Sequence, residues 1–166
     1  MKHTLEARPG KPLLNRAVVA QVVGCLKPGI EALLELHGRK FLHLLVLSPM
    51  DRKTVLFDGP MTGAVDDYPR PYREIAIKKA MLAARTGVNT SEANGTCAHL
   101  LAEGDIVYQG GVNYRGLVVA ASGAQGPVDE AVCLMVAAQL SAYCQVKSQE
   151  LQKEAAKGGP YLVPRT

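Results

Sequence analysis

The segment that decides the fold is GGVNYRGLVVAASGAQGPVDE, residues 110–130. Gly116 to Ala121 is an apolar run with β-branched residues at its centre, which predicts a strand. A Gly110-Gly111 step and a turn at Asn113-Tyr114-Arg115-Gly116 join it to a partner strand over Ile106–Gln109. Ser122-Gly123-Ala124-Gln125-Gly126-Pro127 then reads as a glycine-rich loop. Val128 to Lys157 follows as the longest helix, apolar through Ala138 and charged from Lys147. Glycines before a helix N-terminus suit an anion. This loop, however, lacks the Gly-Lys-Ser/Thr of a phosphate-binding loop. Asp129 and Glu130 occupy the first helical turn, where carboxylates stabilise the positive helix end and repel phosphate. They read as capping residues.

Working back towards the N-terminus, Tyr72 to Thr86 gives the clearest helix, with Ile75, Ala76, Ala80, Ala83 and Ala84 on one side and Lys78 and Lys79 on the other. A shorter helix follows Thr90-Ser91-Glu92 and ends near Ala102. Phe41 to Leu47 and Lys53 to Phe57 predict a hairpin, followed by a long irregular loop over Asp58–Pro71 with three prolines and two glycines. Leu14, Val18, Val22 and Leu26 recur at helical spacing. Pro28 is placed at the start of a second helical piece that runs to His37 and is stopped by Gly38. The element order predicts an α+β single domain, an antiparallel β-sheet flanked by helices. Residues 1–12 read as a flexible N-terminal arm, 13–157 as the domain and 158–166 as a C-terminal tail.

Composition narrows the function classes. The chain has 166 residues, of which 48% are hydrophobic and 20% charged, so it carries enough apolar surface for one core without staples. Nineteen Lys and Arg against fifteen Asp and Glu give a net charge of +4, scattered rather than massed, which argues against nucleic acid as a partner. No membrane partner is expected, because the uncharged run Ala131–Val146 is shorter than a span. Val22-Val23-Gly24-Cys25 looks like a lipoprotein cleavage box, but Gln21 interrupts the apolar run before it. Cys25, Cys97, Cys133 and Cys144 show no metal spacing and read as reduced core thiols of a cytoplasmic protein. No metal site is expected.

No nucleophile–base pair or metal-ligand motif is legible. The cations are better placed. Lys78, Lys79 and Arg85 share a helix, Arg115 tips a turn, and Tyr68 and Tyr72 flank Arg70. Such a set would hold an anionic ligand with a flat apolar body. Among the histidines, His43 alternates with Leu42 and Leu44 on a strand, which suits the polar side of a half-covered sheet. His99 stands alone in a helical stretch.

The order of these motifs resembles the GlcG/HbpS-like family. The likeness rests on Ala76-Ile77-Lys78-Lys79-Ala80 with Ala83-Ala84-Arg85-Thr86-Gly87, and on Asp58-Gly59. It is sharpest in Gly110-Gly111, the run Arg115 to Ala121, Ser122-Gly123-Ala124 and Asp129-Glu130. It spans roughly residues 13 to 146. The resemblance implies a profilin-like fold, frequent homo-oligomers, and relatives that bind or degrade haem. The expectation that follows is a small cytoplasmic ligand-binding protein that holds haem or a related tetrapyrrole. Lys78, Lys79 and Arg85 would meet propionates, Gly110, Gly111, Arg115 and Ser122 would line the groove, and His99 or His43 would be the axial ligand. A second expectation is an enzyme or accessory of small-molecule catabolism acting on a small anionic substrate without haem. It is motivated by Leu47–Arg52, which replaces the family's Val-Asp-x-x-Gly hairpin. There the 58–71 loop would be a lid, with Tyr72, Arg73 or Asp67 catalytic.

The segment Ala131–Ala138 has apolar residues on every face of the helix, more than one sheet contact requires, and would leave Leu134, Met135 and Val136 partly exposed. A homo-oligomer built on the 128–157 helix is therefore expected. Light scattering should give a multiple of 17.7 kDa, and Leu134→Glu should dissociate or unfold the assembly; a monomer mass at micromolar concentration would refute it.

Overall fold

The computed structural model describes residues 10–155. The first nine residues of the expected arm, the expected tail and the last two residues of the expected final helix lie outside the described residues. The elements in chain order are α1 (Arg16–Leu36), β1 (Leu42–Leu47), β2 (Val55–Thr62), α2 (Tyr72–Thr86), α3 (Thr90–Gly95), β3 (Gly111–Tyr114), β4 (Leu117–Ser122) and α4 (Gly126–Ala155). They build the expected α+β architecture, one antiparallel sheet of order β2-β1-β4-β3 with helices on both faces.

Strand alternation sorts the core into two layers. Leu42, Leu44 and Val46 of β1 and Leu117, Val119 and Ala121 of β4 face α1 and α4, meeting Val19, Val23, Ile30, Leu34, Val132, Val136 and Leu140. Leu45, Leu47, Val118 and Ala120 face the other way, onto Ala76, Ala80 and Ala83 of α2. The alanines let α2 lie close to the sheet. β1 is buried along its whole length, so the half-covered sheet expected around His43 is replaced by one covered on both faces. α1 is long and apolar enough to cross a membrane by length and composition; its Val19, Val22, Val23, Ile30 and Leu34 are buried in the core.

Four boundaries differ from the sequence reading, each for a local reason. α1 is continuous, with Pro28 inside it. Proline there forfeits the hydrogen bond to the Gly24 carbonyl, and both residues are exposed, so water can replace it. β2 runs on to Thr62 through Gly59-Pro60, which the sequence assigned to a loop. It is an edge strand, where proline's missing N–H costs no ladder bond. Ile106–Gln109 is not a strand; β3 begins at Gly111 and pairs with β4 across a two-residue turn in which Arg115 (φ 53°) and Gly116 (φ 92°) both have positive φ. The helix after Asn89 stops at Gly95, and a 3₁₀ turn at Ala98–Leu100 replaces the rest.

The cysteines are all free, but only Cys133 is a core residue; Cys25 is exposed and Cys97 and Cys144 are half-buried. On α4, Val136 is fully buried, contrary to expectation, while Leu134 is 40% exposed between the exposed Ala131 and Ala138. The outward apolar face is thus a single narrow stripe.

Gly123 carries the tightest steric demand. Its φ is 144°, and a Cβ there would lie 2.1 Å from the Phe41 carbonyl oxygen. Gly123→Ala should destabilise the fold by about 3 kcal/mol, combining backbone strain with overpacking against main chain. Urea unfolding at neutral pH measures it, and a change within experimental error would contradict this steric account.

Candidate functional site

The Gly-Gly, Ser-Gly-Ala and Asp-Glu motifs converge on one buried ion pair. Lys79 of α2 and Asp129 of α4 are each 2% exposed in their side chains, and Lys79 Nζ donates to Asp129 Oδ2 at 2.8 Å and to the Ala121 carbonyl at 2.8 Å. Asp129 Oδ1 accepts from the Ala124 N–H at 3.0 Å, so the same carboxylate holds the Ser122–Ala124 loop. Glycine is needed at 110 because a Cβ would come within 2.6 Å of Asp129 Cβ and 2.8 Å of Lys79 Nζ. At 111 it would come within 2.6 Å of the Lys79 carbonyl oxygen. The Cys133 thiol donates to the Gly110 carbonyl from behind, and burial pushes its pKa well up. Burial also raises the Asp129 pKa, against the opposing pull of Lys79. Glu130 accepts from Ser91 Oγ at 2.9 Å and ties α3 to α4.

Above this pair opens a cleft of about 530 Å³. Its floor is Lys79 and Asp129, and one wall is the backbone of Ser122, Gly123 and Ala124. Arg39, Arg70, Tyr72 and Tyr108 also line it. Among the described residues, neither Arg39 nor Arg70 engages its guanidinium in a hydrogen bond or salt bridge. Three cations against one carboxylate leave the cleft net positive. Guanidinium forks and phenols here can bind an anion with a planar or apolar body.

The predicted site residues divide. Lys79, Tyr72 and Ser122 line this cleft, and Gly110 and Gly111 pack directly behind Lys79. Lys79 does not share the solvent side of α2 with Lys78, as the sequence suggested; it faces the sheet because its ammonium has two buried acceptors there. Lys78 and Arg85 line a different cleft on the outer side of α2. Arg115 sits at the hairpin tip with its guanidinium 5.7 Å from the Tyr114 ring centre, bordering a third hollow. His99 is exposed on the 3₁₀ turn and does not border the cleft.

His43 is 1% exposed and fully engaged: Nε2 meets Asp58 Oδ1 at 2.7 Å and Nδ1 meets the Tyr68 hydroxyl at 3.3 Å. Asp58 is also gripped by Arg73, with Nη2 donating to Oδ2 at 2.6 Å. Burial would raise its pKa, but the Arg73 and His43 hydrogen bonds outweigh that and hold it below the usual carboxylate value. Tyr68 packs edge-on against Phe41, His43 and Tyr72, with the Tyr72 ring 5.3 Å away. This cluster anchors the loop over residues 63–71 and so positions Arg70 and Tyr72 at the cleft. Of the alternative catalytic set, only Tyr72 reaches the cleft. Arg73 is committed to Asp58, and Asp67 is exposed on a 3₁₀ turn.

Arg39, Tyr108 and Asp129 are site residues that the sequence reading did not single out for the site. Arg39 was findable. β1 and β4 pair antiparallel with His43 opposite Ser122, so the residues entering β1 share a sheet end with those leaving β4.

Removing the ammonium tests the floor. Lys79→Met would leave Asp129 buried and unpaired, costing about 3 kcal/mol at neutral pH. Without Lys79 the Asp129 pKa rises further, so stability should be fuller at low pH and fall as pH rises through that value. Lys79→Met with Asp129→Leu should recover part of the loss and flatten the pH dependence. Thermal melts across the pH range check both, and a loss independent of pH would contradict the buried-charge account.

In comparisons with solved structures, the chain is similar to ORFY of Klebsiella pneumoniae, of family DUF336, at 14% identity with a TM-score of 0.57, covering 84% of this chain and 99% of that one. It is also similar to a double mutant of HbpS from Streptomyces reticuli, at 21% identity with a TM-score of 0.51, covering 81% and 88%. No family model and no curated protein matches the chain. Its structural neighbours thus include the DUF336 protein ORFY and HbpS, and the GlcG/HbpS-like resemblance of the sequence stands at the level of the fold.

Proposed function

We infer that the protein binds a small carboxylate-bearing ligand in the cleft above Lys79 and Asp129. The observation that carries this reading is the pair of guanidiniums, Arg39 and Arg70, that are uncommitted among the described residues and face a glycine-rich backbone wall. Carboxylates take bidentate hydrogen bonds from such groups. The buried Lys79–Asp129 pair keeps the wall rigid, so little is lost in ordering it on binding. The free thiols fit a reducing compartment, and we take the protein to be cytoplasmic. The exposed Leu134 stripe on α4 supports the self-association expected from the sequence.

Haem or a related tetrapyrrole is the second reading, favoured by the same arginines as propionate partners and by a cleft volume within the usual range for sizeable ligands. The two histidines do not fit as axial ligands in this cleft, since His43 is enclosed by its own partners and His99 lies outside it. Tyr72 and Tyr108 are the side chains there that could supply an oxygen ligand, a known ligation type. Haem, when bound, would be held by Arg39 and Arg70 at its propionates and by the phenol of Tyr72 or Tyr108 at its iron, and would supply a redox-active metal centre.

Calorimetric titration with mono-, di- and tricarboxylates, beside hemin followed in the Soret band, separates the readings. Saturable carboxylate binding that weakens by about tenfold in Arg39→Ala and in Arg70→Ala is the expected result. A hemin spectrum that shifts in Tyr72→Phe or Tyr108→Phe would support the second reading. No saturable binding of any probe would overturn both.

A further inference from the structure

Helix α2 lines clefts on two of its sides. Lys79 closes the floor of the cleft described above, while Lys78, Met81 and Arg85, spaced three and four residues apart, form a stripe on the outer side. That stripe lines a separate open cleft of about 580 Å³, completed by Arg52 and Lys53 of the β1–β2 turn and by Ile106. The geometry points to a docking surface here, and we propose that its partner is an acidic peptide segment carrying an apolar side chain.

Charge and shape together carry the argument. Four cations in this cleft face two carboxylates, Asp51 and Asp105. Both carboxylates are already committed. Asp51 accepts from the Lys53 and Thr54 N–H groups and from Thr54 Oγ1, which holds its pKa down at about 2. Asp105 is paired with Arg85 and accepts the Ala102 N–H. Arg52, Lys53 and Lys78 have no side-chain hydrogen bond or ion pair among the described residues. They remain as uncompensated positive charge on both banks of the cleft. Between them Met81 is 62% exposed, a flexible apolar side chain of the kind that adapts to varied partners.

The spacing defines the partner further. Lys78 and Met81 lie three residues apart, about 4.5 Å along the helix axis, the reach of about one to two residues of an extended peptide. An acidic residue followed by an apolar one matches that pair, and further acids meet Arg52 and Lys53. Nucleic acid fits less well, because no aromatic side chain lines the cleft for base stacking and two carboxylates border it.

The test is fluorescence anisotropy with a labelled decapeptide, Glu-Glu-Asp-Leu-Glu-Asp-Leu-Glu-Asp-Glu, beside its lysine-for-acid counterpart and a labelled single-stranded oligonucleotide. Lys53→Glu with Lys78→Glu removes two exposed, unpartnered cations, so its melting temperature should match the parent chain. The acidic peptide should bind, weaken as salt is raised, and lose at least about tenfold in affinity in the double variant. Absence of binding by the parent chain, or equal affinity in the folded variant, would overturn the proposal. Tighter binding of the oligonucleotide, lost in the same variant, would overturn the peptide assignment in favour of nucleic acid. Because no substitution touches Arg39, Arg70 or Lys79, carboxylate binding in the first cleft should be unchanged, which keeps the two readings separable.

Discussion

The Lys79–Asp129 ion pair is the constraint around which the rest of this molecule is arranged. Two charges with almost no solvent contact are tolerable only when their remaining hydrogen-bonding capacity is met. The Ala121 carbonyl and the Ala124 N–H meet it, and both belong to the end of β4 and the loop that follows. The ammonium therefore fixes the penultimate residue of β4, and the carboxylate fixes the turn into α4. Two glycines at 110 and 111 are the steric condition for this, since any side chain there would occupy the space of the pair or of the α2 backbone. Motifs far apart in the chain thus express one local requirement.

That arrangement explains why the candidate site lies where it does. An antiparallel sheet brings the start of β1 beside the end of β4, so Arg39 and the Ser122–Ala124 wall meet at one end of the sheet. The loop over 63–71 reaches the same end because Tyr68 is held there by His43 and by aromatic neighbours. Asp58, at the middle of β2, secures His43 and Arg73 together. The cleft is therefore walled by segments that are braced individually.

The fold was largely legible in the sequence because its signals are local. Tyr72–Thr86 shows its alanine stripe, Gly38 stops its helix, and the apolar run over 116–121, β-branched at its centre, reads as a strand. The misreadings share a cause: each depended on where a segment sits in the tertiary structure. Pro60 looks like a loop residue until β2 is known to be an edge, and Pro28 looks like a boundary until its turn is known to face water. Lys79 looks like a solvent lysine because its partner lies 50 residues away, and Asp129 looks like a cap for the same reason. The site was half legible. Glycines and tyrosines announced it, whereas Arg39 and Tyr108 sit in short connections whose direction only strand pairing reveals.

Pro60 also bears on how copies of this chain can meet. A four-stranded open sheet has two free edges, and unpaired edge strands are the usual templates for sheet extension and fibril growth. On one edge β2 carries a residue that cannot donate, together with register shifts near both ends of its pairing with β1. On the other edge β3 is only four residues long and ends in a tight turn. Both borders are poor seeds for added strands. Whatever assembly the chain forms is thereby steered towards side-chain contacts between helices, which close on themselves, and away from backbone ladders, which do not.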